Sequence, residues 1–168
     1  MSRPPLRWRD LPGSLRALGF WLTVVQLAGY TTSLVFVWHT TRLIPRGVAE
    51  HYRGTDPART DLDMKFAKSF TEMLTVTHTH LLAMAVIFVL SGLALALCER
   101  PAERWKRFLI AEPMVALLVS FGAMWLMRYA HPGFSLLLSL SSAVMAMTFY
   151  LQCGLVLREF WNLRREGR

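Results

Sequence analysis

Four apolar stretches, each about the length of a bilayer crossing, constrain this chain more than anything else in it. A hydrocarbon core of roughly 30 Å takes about 20 helical residues to cross. Residues 18–40, 70–97, 108–127 and 134–157 each meet that length. Of the 168 residues, 54% are hydrophobic and only 18% charged, too apolar a balance for a water-soluble domain of this size. The sequence therefore predicts a single all-α membrane domain: a four-transmembrane-helix antiparallel bundle. The long connection at 41–69 forms an outer loop with an amphipathic segment. No cleaved signal peptide is expected, because the first stretch is long, carries Gln26 and Tyr30, and lacks a small-residue cleavage site.

Basic residues orient the bundle. Arg3, Arg7, Arg9 and Arg16 precede the first span, and Arg100, Arg104, Lys106 and Arg107 join the second to the third. Arg158, Arg164, Arg165 and Arg168 close the chain. The positive-inside rule places all three groups in the cytoplasm, giving a multi-pass protein of the bacterial inner membrane with both termini inside. The 41–69 loop is nearly charge-balanced and so faces outward. Trp21 and Trp38 sit ~26 Å apart along a helix, at the two aromatic interfaces. Topology and anionic headgroups account for the net charge of +8, so the expected partner is the lipid bilayer and not nucleic acid. Cys98 and Cys153 lie toward the cytoplasmic ends of their spans, where thiols stay reduced.

Polar residues at the outer side carry the functional question. All five histidines, His39, His51, His78, His80 and His131, map there. His78 and His80 are about 200° apart around a helix, so they cannot chelate one ion together. A helical projection groups His78 with Glu72, Thr75, Thr79, Leu82, Ala85, Val89 and Ala96, and His80 with Met84, Ile87, Phe88 and Leu95. Small residues mark packed faces in membranes, so His78 is expected inward and His80 toward the headgroups. Gln26, Gly29, Thr32, Ser33, Phe36, His39 and Thr40 form a comparable small and polar stripe on the first span. Glu112 is a costly intramembrane carboxylate, either paired or a helix-entry residue. Arg128 beside His131 is either an anion clamp or an interfacial cation. In the loop, Glu50 and His51 fall in "AEHYRG", and Leu62, Phe66, Phe70 and Met73 share one face of an amphipathic lead-in near residues 61–71.

The stretches "HTTRLIPRGVAEHYRG", "FTEMLTVTHTH" and "FLIAEP" resemble an uncharacterised family of small bacterial four-helix membrane proteins. The resemblance covers most of the chain and brings no activity with it. The bundle is also similar in general plan to b-type cytochromes, whose inward histidines come from different helices.

Three function classes follow. In the first, an electron-transfer subunit holds one haem b near the periplasmic face between His39 and His78, with His131 as a substitute ligand and Arg128 on a propionate. Its partner would be a periplasmic or membrane redox protein. In the second, copper or zinc is bound by His39, His51, His78, Glu50 and Glu72. The third is a non-catalytic, partner-binding membrane subunit with no cofactor. His39, His78 and His131 are expected to face one outer cavity. No nucleophile–histidine pairing supports hydrolysis.

Overall fold

A computed structural model describes residues 6–55 and 64–166. Five α-helices run α1 (Gly13–Thr41), α2 (Pro45–Arg53), α3 (Phe70–Ala96), α4 (Glu103–Tyr129) and α5 (Phe134–Glu166), with no strand among the described residues. All but α2 are long and apolar enough to cross a membrane. The protein is a four-span antiparallel bundle. The first and last described residues lie at one side, the terminal end, and α2 lies at the other, the capped end.

Helices α1, α4 and α5 outrun the apolar stretches that announced them, because polar turns continue past the hydrocarbon, whereas α3 matches its stretch to within a residue. Helix α5 runs on to Glu166 and places Arg164 and Arg165 in its last turn, where cations favour the helix dipole. The amphipathic element differs from expectation. Residues 64–69 carry no helix, and 61–63 of the expected lead-in lie outside the described residues. Helix α2 takes that place instead, opening with Pro45 in its first turn and ending at Gly54, whose φ of 88° suits glycine.

Helices α3, α4 and α5 form the tight part of the bundle, with α4 and α5 packed most extensively; α1 rests mainly on α5. At mid-depth Tyr30 reaches in from α1 over Phe149, ring centroids 4.4 Å apart, and Phe149 in turn meets Phe88. Ser120 joins Ser141 at 2.8 Å, and Trp125 donates to Thr77 at 2.9 Å. At the terminal end Trp8 is tucked under the bundle. Its indole donates to the Ala94 carbonyl at 2.8 Å, and its ring lies against Phe160. Lys106 is buried there, and its ammonium takes the Ala96 and Cys98 carbonyls at the end of α3. Arg9 and Glu99 pair nearby.

The faces of α3 and α1 reverse the sequence expectation. Phe88 and Leu95 are 1% and 0% exposed, whereas Glu72, Thr75, His78, Thr79, Leu82, Val89 and Ala96 face outward. On α1, Gly29, Thr32, Ser33, Phe36 and His39 are likewise exposed and Thr23 and Tyr30 are buried, although Gln26 of the expected stripe does turn inward, half-buried and donating to the Ile87 carbonyl at 3.3 Å. Large side chains fill the space among three helices through dispersion contacts that small ones cannot make. The hydroxyls need no neighbour, since Thr75 donates to Thr71, Thr32 to Ala28 and Ser33 to Gly29 within their own helices.

Candidate functional site at the capped end

The chain leaves α1 through a strained corner. Arg42 and Leu43 both adopt the left-handed conformation with φ of 57°, which costs a side-chain-bearing residue about 1–2 kcal/mol. Thr41 braces the corner: its hydroxyl donates to the Val37 carbonyl at 2.7 Å and accepts from the Leu43 amide at 3.2 Å. Gly47 then passes so close to the Thr41 carbonyl that an added Cβ would lie 2.0 Å from the oxygen. Only glycine fits there.

Helix α2 is fastened across the bundle mouth. Arg53 donates to the carbonyls of Met127 and Arg128 at 2.8 and 3.2 Å, satisfying the end of α4. The segment after the undescribed residues returns beside it. Thr55 and Lys65 exchange hydrogen bonds, Lys68 donates its amide to Tyr52, and Arg128 donates to the Lys68 carbonyl at 2.9 Å. The Lys65 ammonium reaches the Thr40 carbonyl at 2.9 Å, closing the end of α1.

Between these pieces lies a cleft of about 700 Å³, which His39, Arg42, Arg46, Glu50, His51, Lys65 and Lys68 help to line. Among the described residues four permanent cations and one carboxylate line it, and Arg46 Nε donates to Glu50 at 2.9 Å. His51 is half-buried with its ring edge-on to Tyr52. Burial first, then Lys68 and Lys65, holds its imidazole below the usual histidine range. Ile44, Met64 and Phe66 give the cleft an exposed apolar rim.

The structure brings together only part of the ligand set expected from sequence. His39, Glu50 and His51 share the cleft, but His78 and His131 do not line it. His78 and His80 are both exposed on α3, and His80 Nδ1 lies 3.0 Å from the Val76 carbonyl. His131 Nδ1 accepts the Gly133 amide at 3.0 Å and so shapes the α4–α5 turn. Glu72 forms a capping box with Ser69 at the start of α3. Arg128 is spent on Lys68 and the Tyr129 ring. Among the described residues no three His, Cys, Asp or Glu side chains converge as a metal would need. The residues that sequence reading missed are Arg42, Arg46, Arg53, Lys65 and Lys68. Their charges looked balanced along the loop, and only the fold gathers them.

A family model, Aq_1264_TM, described as a transmembrane helical domain, matches residues 42–167. The chain belongs to that family. No curated protein and no solved structure matches it.

Proposed function

We propose that this protein is a non-catalytic membrane subunit that holds a spanning helix of a different protein against α1. Both termini are then cytoplasmic and the capped end faces outward, following the basic residues of the terminal end. The observation that carries the reading is the bareness of α1. Only 11% of its apolar window is buried, against 39% in α4. Leu18, Val25, Gly29, Thr32 and Phe36 recur at helical spacing along one exposed stripe. A Cβ added at Gly29 meets nothing within 4 Å, so this chain leaves that close-approach position unused.

Photo-crosslinkers placed at Val25 and Phe36 in native membranes test the reading, with Leu118 on α4 as control. A discrete heteromeric product from the α1 probes, lost on Gly29→Trp, is the expected result. Products with lipid alone, or only with a second copy of the chain, overturn it. So does a Soret band with sharp reduced α and β bands, or stoichiometric copper or zinc, in the purified protein.

A further inference from the structure

The cleft at the capped end has the wrong electrostatics for a cation. A divalent metal bound near His39, His51 and Glu50 would sit among Arg42, Arg46, Lys65 and Lys68. Each of these like charges opposes it. The same arrangement attracts an anion. The start of α2 opens onto the cleft through Arg46 and Gly47, with no side chain capping its first amides. The cleft is also built rather than casual, since the left-handed Arg42 and Leu43 and the tight Gly47 contact fix its walls.

Depth and rim narrow the ligand further. The cleft lies against His39 and Thr40, the last residues of a membrane-spanning helix, so it sits at headgroup level. Ile44, Met64 and Phe66 border it, with Phe66 84% exposed. A polar cationic hollow with an apolar lip at an interface matches a phosphate headgroup whose acyl chains lie along the lip. We propose that this cleft binds a phosphate group, carried by an anionic lipid, between Arg42, Arg46, Lys68 and the amino-terminal turn of α2. The proposal stands apart from the partner-helix reading, because it concerns the cap and not the exposed stripe of α1.

His51 provides the reporter. Among the described residues, the charged and titratable groups sharing the cleft with it are His39, Arg42, Arg46, Glu50, Lys65 and Lys68. An anion among them offsets the lysines and moves the His51 titration upward. The experiment uses the full chain in phosphatidylcholine nanodiscs and follows the His51 ring by NMR against pH. Phosphatidic acid is added to the bilayer in one arm, and inorganic phosphate to the solution in the other. An upward shift with phosphatidic acid alone assigns the headgroup. A comparable shift with inorganic phosphate alone keeps the phosphate chemistry and overturns the lipid source. Arg42→Gln with Lys68→Gln is expected to weaken binding about tenfold or more, from the loss of two charge-assisted contacts. Arg104→Gln, exposed at the terminal end, leaves binding unchanged. Thermal unfolding of each variant shows whether the bundle survives. If the double variant does not fold, Lys68→Gln alone must still weaken binding severalfold. No His51 response in either arm, equal binding by the folded variants, or a response to zinc but not to phosphate overturns the proposal.

Discussion

Gln152 Nε2 donates to the Leu109 carbonyl at 2.5 Å, and that carbonyl is the one Pro113 leaves without its helical donor. The amide of Gln152 is held in place from its other side, where the Ser91 hydroxyl donates to Oε1 at 2.8 Å. A side chain of α5 thus completes the backbone of α4 at a point buried inside the bundle, with Gln152 fully buried. Gln152→Leu is expected to destabilise the protein by about 1–2 kcal/mol in denaturant titrations of mixed micelles. In a Pro113→Ala background the new amide serves Leu109, so the loss should shrink. Equal losses in the two backgrounds would mean that Gln152 acts through packing alone.

The spans were legible because length and apolarity decide whether a helix crosses a bilayer, and neither depends on neighbours. Which face turns inward was not legible. Lipid tails are as apolar as Phe88 or Leu95, so hydropathy cannot distinguish burial in protein from exposure to lipid. The small-residue rule misplaced Gly29 and Thr32, since it marks where helices approach closely and nothing in the described bundle comes within 4 Å of a Cβ placed at Gly29. Helix α2 carried a readable start and stop in Pro45 and Gly54. The cationic cleft was out of reach, since Arg42 turns on a left-handed corner and Lys65 arrives from sequence-distant residues pinned to Thr55.

Lys106 is expected to matter more than an interfacial lysine should. It is 7% exposed and its ammonium serves carbonyls at the end of α3, where positive charge also meets the helix dipole. Lys106→Met retains most of the buried stem but strands those carbonyls, for a loss of about 1–3 kcal/mol. Equilibrium unfolding measures it. An unchanged midpoint would show that water takes over the carbonyls.

Stability should depend on pH through His51. Its folded pKa lies below the ordinary value of 6.5. The unfolded chain therefore binds the proton first, and the stabilising contribution is fully present above about 6.5 and lost as pH falls toward the lower folded value. The unfolding temperature of the wild-type protein should drop between neutral and mildly acidic pH, and His51→Gln should flatten that part of the profile. A profile unchanged by His51→Gln would place the titrating group elsewhere.

Two glycines should respond to alanine with opposite signs. At Gly47 the added methyl meets the Thr41 carbonyl, a backbone atom fixed by the α1–α2 corner, so the cap must shift. Overpacking of this kind costs about 1–3 kcal/mol, and the loosened cap should also raise hydrogen exchange across α2. At Gly29 the methyl enters open space in the middle of a helix, where alanine is the better helix former by about 1 kcal/mol. Gly29→Ala should therefore stabilise the purified single chain slightly. The measurement also bears on what covers α1. Stabilisation of the isolated chain, together with weaker assembly in native membranes, is what an unfilled partner surface requires. Loss of stability in the purified protein would instead mean that Gly29 already has a close neighbour there, and a second copy of this chain would be the first to test.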